Sequence, residues 1–253
     1  MNSELLIIIP AYNEGKNIGA FIEKMKNENI EKIADILVID DGSKDDTKDV
    51  VKEHKVNILS KPLNLGYGST LQLGYKYGLK HDYKYIIQID ADGQHDVSNI
   101  SVIYDALKGD SKPDIVIGSR FLSEDSEMLV SILKKVAIWY FKKSIKIFTS
   151  KQITDPTSGL QGLNREAFGY YSLYGNFDCR YPDINMIIQM VMLGYNIEEV
   201  PAKMYSRTQG KSMHSGIFKP ISYMVLMSLS IASIVIRQKK SDLRWRNKNE
   251  KKV

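Results

Sequence analysis

A chain of 253 residues with 43% hydrophobic content is long enough for one large α/β domain, or for one domain and an appendage. Its single cysteine, Cys179, excludes an intrachain disulfide and fits a reducing compartment. The net charge of +5 is concentrated: residues 237–253 carry eight basic side chains against Asp242 and Glu250, and residues 131–151 carry six lysines and no acid. Two local basic patches favour an anionic membrane surface as partner over nucleic acid. The alternative for each is a solvated helix face or tail. The start, Met-Asn-Ser-Glu, has no basic stretch or cleavage site, so no signal peptide is expected.

Residues 5–9 form an apolar run ended by Pro10 and read as a buried strand. Helical spacing follows over 17–27, through Ile18, Phe21, Ile22 and Met25. A second strand over 34–39 runs into Asp40-Asp41-Gly42-Ser43, with Ser43 placed to cap a helix over 44–52. A short strand at 56–59, a Gly-rich helix at 66–79, a strand at 85–90, a helix at 99–107 and a strand at 114–118 complete this half. Apolar strands alternating with helices predict an α/β fold, a mainly parallel sheet covered on both faces.

The second half changes character. Residues 131–150 mix lysines with Trp139, Tyr140, Phe141 and Phe148, a composition suited to a membrane interface or to packing with outward lysines. A loop at 154–159 precedes a helix opened by Pro182 over 183–193, then a strand over 197–205. Residues 221–236 hold sixteen positions without a charge. As a helix they span about 24 Å at 1.5 Å per residue, short of a ~30 Å hydrocarbon core. Four serines lower their apolarity further. The favoured reading is a helix lying in or near the membrane interface; a core or oligomer-contact helix and a true membrane span are the alternatives. The expected organisation is a catalytic domain over 1–215 and an apolar helix with a basic tail over 216–253.

The chemistry gathers at strand ends. The strand at 85–90 delivers Asp90 and Asp92, with Gln94 and His95 behind them. Alternate residues of an extended segment point the same way. Asp90, Asp92 and Gln94 are therefore expected to converge on a hard cation, Mg²⁺ or Mn²⁺, of the kind that bridges nucleotide phosphates. A lone Asp-x-Asp is a weak signal, and Asp-Asp-Gly-Ser alone is ordinary turn chemistry. Their recurrence after Pro10-Ala11-Tyr12-Asn13-Glu14, at successive strand ends, is harder to dismiss.

Taken in order, Pro-Ala-Tyr-Asn-Glu, Val-Ile-Asp-Asp-Gly-Ser, Asn-Leu-Gly-Tyr-Gly, Asp-Ala-Asp-Gly-Gln-His, Ile-Gly-Ser-Arg-Phe and Thr-Asp-Pro-Thr-Ser-Gly-Leu-Gln resemble family 2 glycosyltransferases of the GT-A fold. The closest branch is that of dolichyl-phosphate mannose synthases, and the likeness covers roughly residues 4–215. The resemblance implies that Pro10, Tyr12 and Glu14 line the base and ribose, and that Asp41 accepts a hydrogen bond from the base. Asn64 and Gly66 would lie in a loop closing over the nucleotide. Asp90, Ala91 and Asp92 would meet the nucleotide sugar, with Asp90, Asp92 and Gln94 on the metal. Arg120 would bind a phosphate, or else pair with Glu124 or Asp125. Asp155 would shape the acceptor site or brace its loop. Asp183 would act as general base, or cap its helix. Arg207, Lys211 and Ser212 would contact the diphosphate or an acceptor phosphate. Gly210-Lys211-Ser212 is not a P-loop, since its upstream pattern is missing. His95 and His214 could contact phosphate, but read first as structural or exposed histidines, and nothing points to a catalytic role for Cys179.

One departure matters. Similar sequences carry two acids at the acceptor helix; here Asp183 is followed by Asn185. A phosphate acceptor, already anionic, needs no base. These readings predict a metal-dependent inverting transferase that moves a sugar from a UDP- or GDP-sugar to a membrane-associated acceptor. A polyprenyl phosphate or a lipid-linked glycan is expected, on the cytoplasmic face, with oligomerisation open. A sugar-nucleotide pyrophosphorylase and a non-catalytic nucleotide-sugar adaptor are the rivals. The former usually needs a Gly-rich basic loop after the first strand, which Pro-Ala-Tyr-Asn-Glu does not supply.

Overall fold

The computed structural model describes residues 3–122, 132–205 and 218–250, with side chains over 136–205 and 222–238 in the last two segments. Its strands are β1 (Leu5–Ala11), β2 (Ala34–Asp40), β3 (Asn57–Ser60), β4 (Tyr85–Gln88), β5 (Ile115–Ser119), β6 (Gln161–Asn164) and β7 (Ile197–Pro201). They form one sheet in the order β3-β2-β1-β4-β6-β5-β7. Only β6 runs against its neighbours, antiparallel to both β4 and β5.

The apolar run of β1 is buried on both faces, as a central parallel strand requires. Leu6 and Ile8 join one core with Leu37 and Ile39; Leu5, Ile7 and Ile9 join another with Val38. The second core is closed by α1 (Gly15–Asn27), α2 (Thr47–Glu53) and α4 (Asn99–Lys108). The first is closed by α3 (Tyr67–Lys80), α5 (Ile132–Thr149), α6 (Arg165–Ser172), α7 (Ile184–Met192) and α8 (Phe218–Glu250). Each large apolar side chain buried this way contributes roughly 1.5–3 kcal/mol. The glycines of α3 have a packing role. A Cβ on Gly74 would come within 2.8 Å of Ile8 and Ile39, and one on Gly78 within 2.5 Å of Ile86.

The expected alternation holds through β5. Three elements were not foreseen: the short 3₁₀ turn at Ile30–Lys32, β6 and α6. Four residues reading Gln-Gly-Leu-Asn carry too little apolar pattern to mark a strand, although Asn164 gives α6 a normal cap by accepting from the Ala167 N–H at 2.9 Å. Ser43 does not cap α2, which starts at Thr47. Its Oγ accepts from the Asn13 N–H at 2.9 Å, joining the ends of β1 and β2. The last strand is shorter than expected, ending at Pro201, with an isolated bridge between His95 and Met204.

The apolar segment 221–236 lies inside the longer helix α8. Pro220 sits in its first turn, where a missing N–H costs little. Among the described residues no helix is long and apolar enough to cross a membrane. Met227, Ile231 and Val235 point inward and belong to the first core, while Val225, Leu226, Leu229 and Ile236 stay exposed. Ser228 and Ser230 are bonded to the domain, Ser228 to the Tyr140 hydroxyl at 2.8 Å and Ser230 to the Asn185 amide at 2.8 Å. α5 is divided the same way, with Phe141 and Ile145 inside and Val136, Trp139 and Ile147 outside.

Candidate active site

Parallel strands deliver their C-terminal ends to one rim, the place where open α/β sheets bind ligands. β1 leads there to Tyr12 and Glu14, β2 to Asp41, β4 to Asp90 and Asp92, and β5 to Arg120. The reversed strand β6 starts at that rim, so the loop that feeds it, residues 154–159, arrives at the same place. This brings Arg120 and Asp155 together.

On the β1–β2 side, the strand runs one residue past Pro10, which was expected to end it, to Ala11; Tyr12 is exposed and the Glu14 carboxylate accepts from the Asn17 amide at 2.7 Å. Asp41 is buried and holds a loop. Its Oδ1 takes the Lys61 ammonium at 2.6 Å and the Leu65 N–H at 2.8 Å, and its Oδ2 takes the Gly66 N–H at 2.9 Å. Lys61 also donates to Ser69 and Thr70. The clamped loop carries Asn64 and Gly66 over the cleft edge. It passes so close to Gly42 (φ +72°) that a Cβ there would lie 2.8 Å from the Leu63 carbonyl carbon.

The acidic pair is arranged differently from the expected pleat. β4 ends at Gln88, and residues 90–94 form a turn with Gly93 at φ +75°. Alternation along a strand therefore does not set the directions of these side chains. The turn folds Gln94 back so that its N–H donates to Asp92 Oδ1 at 3.0 Å, while its carbonyl accepts from the Tyr205 N–H at 2.8 Å. Asp90 Oδ1 accepts from the Tyr67 hydroxyl at 3.1 Å, and a Cβ on Gly159 would lie 2.8 Å from Asp90 Oδ2. Both aspartates remain half-buried and reachable. Two carboxylates of this kind fit a hard cation that takes its remaining oxygens from a diphosphate and water. Among the described residues no cluster of three or more His, Cys, Asp or Glu could hold a metal by itself. A cleft of about 320 Å³ adjoins the turn, lined by Asp92, Gly93 and Tyr205 opposite Lys16, Asn17 and Lys24 of α1.

His95 lies under this turn, its Nε2 4.0 Å from Asp90 Oδ2. Burial pushes its imidazole down to about 4, against the pull of Asp92, so it is neutral at pH 7.

Arg120 and Asp155 form a buried fork. Asp155 Oδ2 accepts from the Arg120 Nε at 2.6 Å and from its backbone N–H at 3.0 Å, and Oδ1 accepts from a terminal nitrogen at 2.5 Å. Thr157 Oγ1 accepts from that same nitrogen at 2.7 Å. Asp155 is fully buried and Arg120 is 7% exposed. The alternative partners, Glu124 and Asp125, lie outside the described residues, as do Arg207, Lys211, Ser212 and His214.

Asp183 stands at the N-cap position of α7, but its side chain makes no capping bond there and instead accepts from the Tyr223 hydroxyl of α8. Burial raises its carboxyl to about 7, opposed by that hydrogen bond, while Asp155 pushes it up and Arg120 pulls it down. Asn185 binds the loop: its Oδ1 accepts from the Asp183 N–H at 2.9 Å and its amide donates to Asp178 at 2.8 Å. Cys179 is half-buried against Gln72, and burial raises its thiol.

Three residues escaped the sequence reading. Tyr67 touches Asp90 but reads there as one more helical aromatic. Lys61 reads as a surface lysine between strand and loop. Glu199, in β7, accepts from the Thr154 N–H at 2.6 Å, the Thr154 hydroxyl at 2.9 Å and the Asp155 N–H at 2.8 Å. The alternation Ile-Glu-Glu-Val offered a weak signal for it: two adjacent acids cannot both face solvent from one strand.

Comparison with known proteins agrees with this geometry. The family model "Glycosyl transferase family 2" matches residues 6–171. The UDP-N-acetylglucosamine–dolichyl-phosphate N-acetylglucosaminyltransferase of Methanococcus voltae is 29% identical, over 88% of this chain and 95% of its own. The undecaprenyl-phosphate mannosyltransferase of Micrococcus luteus is 27% identical, over 84% and 88%. Among solved structures, mannosyl-3-phosphoglycerate synthase from Rubrobacter xylanophilus superposes with a TM-score of 0.67 at 18% identity, over 95% and 75%. Glucosyl-3-phosphoglycerate synthase from Mycobacterium tuberculosis, in a complex with Mn²⁺ and UDP, gives 0.59 at 15%, over 92% and 79%. These structures share the GT-A fold. With two-thirds of its length inside the family model and the family's motifs along one rim of a GT-A sheet, the chain belongs to glycosyl transferase family 2, in the branch of the dolichyl-phosphate sugar synthases.

Proposed function

We propose that this glycosyltransferase moves a sugar from a UDP- or GDP-sugar to a polyprenyl phosphate at a cytoplasmic membrane surface, with Mg²⁺ or Mn²⁺ held by Asp90 and Asp92. The observation that carries the reading is the shared rim. The half-buried carboxylates that follow β4 and the buried Arg120–Asp155 fork that follows β5 stand at the same C-terminal rim of the sheet, where Asp92 also lines the cleft. Relatives named for dolichyl and undecaprenyl phosphate acceptors support the acceptor class. Their different sugars leave the sugar to experiment.

The residues divide the work. Asp90 and Asp92 provide oxygens for the cation, whose charge would offset that on the departing diphosphate. Asp41 keeps the 61–66 loop over the nucleotide end. Asp155 holds Arg120 rigid; a guanidinium so placed offers a phosphate a preorganised positive charge. An anionic acceptor oxygen attacks the anomeric carbon directly and inverts it, with no proton to remove. The exposed apolar faces of α5 and α8, beside the basic stretches of the sequence, support docking on anionic lipid.

The test is transfer of labelled sugar from a panel of UDP- and GDP-sugars to a short polyprenyl phosphate, with and without Mn²⁺. Product lipid with release of nucleoside diphosphate supports the proposal. Pyrophosphate release would point to the pyrophosphorylase, and donor binding without turnover on any lipid to the adaptor.

A further inference from the structure

Helix α8 carries an unusual ladder. Tyr223, Ser230 and Arg237 are spaced by seven residues, so they lie along one face over about 21 Å at 1.5 Å per residue. Each bonds to the segment 175–189 that carries Asp183. Tyr223 donates to the Asp183 carboxylate. Ser230 accepts from the Asn185 amide at 2.8 Å and donates to Asp178 at 3.2 Å. Arg237 donates to the Gly175 carbonyl and to Gln189 Oε1, both at 2.9 Å. Anchoring a helix needs only the apolar contacts that Met227, Ile231 and Val235 already make. Polar rungs cost desolvation and repay it only through well-made bonds. Here all three rungs reach one segment, and the first ends on its half-buried carboxyl, Asp183.

We infer that α8 is a positioning element of the active site, with Tyr223 as the positioning residue that holds the Asp183 carboxyl toward the Arg120–Asp155 pair. The Tyr223 ring is fixed edge-on by Phe141 at 6.0 Å and by Tyr181 at 5.7 Å. Its hydroxyl therefore has a set direction. Asp183 is faced by Tyr223 from α8, by Arg120 beyond β5, by Asp155 from the loop before β6 and by Tyr67 from α3. Of these, Tyr223 is the side chain that donates to Asp183 directly. α8 thus joins a surface helix with an exposed apolar face to the chemistry of the cleft. The inference rests on the glycosyl-transfer reading for its kinetic consequence but not for its structural one.

The experiment is Tyr223→Phe in the full chain, which keeps the ring and removes the hydroxyl. The Asp183 carboxyl is followed by carbon NMR of aspartate-labelled protein, assigned with Asp183→Asn. Loss of a bond to the charged form should raise the Asp183 midpoint by about one unit. The kcat for transfer at pH 7 should fall about tenfold, with KM for the nucleotide sugar unchanged. An unchanged midpoint, or wild-type kcat, overturns the inference. Absence of transfer by the wild type would instead count against the proposed function, and the carboxyl titration would still decide this point. Should Tyr223→Phe fail to fold, Tyr223→Met, which also lacks the hydroxyl, is held to the same two outcomes.

Discussion

Asp155 and Arg120, thirty-five positions apart in the chain, meet as a bidentate ion pair with both partners withdrawn from solvent. Neither side chain can be understood alone. Asp155 sits at no exposed surface where it could meet a substrate unaided, and what it does is fix the direction of Arg120.

Breaking this pair should be costly. Asp155→Ala leaves a buried guanidinium without its counter-charge and is expected to cost about 3–5 kcal/mol in urea unfolding. Arg120→Lys keeps the charge but loses the fork, so it should retain part of the stability and lose most of the transfer. A loss under 1 kcal/mol for Asp155→Ala would show the pair to be exposed in solution.

Asp92 is half-buried and bonded to the Gln94 N–H within its own turn. Asp92→Ala should therefore spare the fold while removing a cation oxygen. The expected result is an unchanged melting temperature without ligand, no transfer, and loss of the extra stabilisation that UDP with Mn²⁺ gives the wild type. Full activity in this variant would displace the metal site from residues 90–94.

Asp183 makes a prediction about acceptor chemistry. An anionic phosphate needs no general base, so Asp183→Asn should cost transfer to polyprenyl phosphate only about the tenfold expected of Tyr223→Phe, the loss of a positioning contact. A hydroxyl acceptor would lose about 10²–10⁴-fold. Activity of the variant on each acceptor class separates the two.

The same residue shapes stability against pH. Burial holds its folded carboxyl at about 7, above the usual 3.8, so the folded state holds a proton that the unfolded state has lost. This contribution is fully present below about pH 4 and fades as pH rises towards 7. His95 acts in the opposite sense. Its folded value near 4 lies below 6.5, so its contribution is lost as pH falls through that window. Because the two oppose each other, the comparison needs single variants. The stability lead of wild type over Asp183→Asn should shrink between pH 5 and pH 8 in urea midpoints. A constant difference would place this carboxyl in water.

Membrane docking predicts a different pattern. Because Met227, Ile231 and Val235 are core residues, removing α8 would damage the domain and confuse the result. The outward residues are the cleaner targets. Leu229→Glu with Ile236→Glu should leave the melting temperature within about 2 °C, since both side chains are exposed. It should also abolish flotation with anionic liposomes. Undiminished flotation would remove this face of α8 from the docking surface.

Much of this protein was legible in its sequence. Strands β1, β2 and β4 announce themselves because a strand buried on both faces must be continuously apolar, as Ile7-Ile8-Ile9 is. Their polar ends, Tyr12 to Glu14, Asp41 and Asp90 to Asp92, mark the cleft because parallel strands all stop at one rim. These signals are local, so the order of residues carries them. Tertiary structure alone decided the partners. The reversed strand β6 has no pattern of its own, yet it takes residues 154–159 to the rim and joins Asp155 to Arg120. Glu199, Lys61 and Tyr67 hold the site from positions whose neighbours in the chain say nothing of it. The four serines of the apolar stretch looked like a dilution of its hydrophobicity, and two of them, Ser228 and Ser230, prove to be bonds from α8 to the domain. Hydrophobic periodicity reports which face of an element is buried, whereas the identity of a bonding partner depends on how distant elements are stacked.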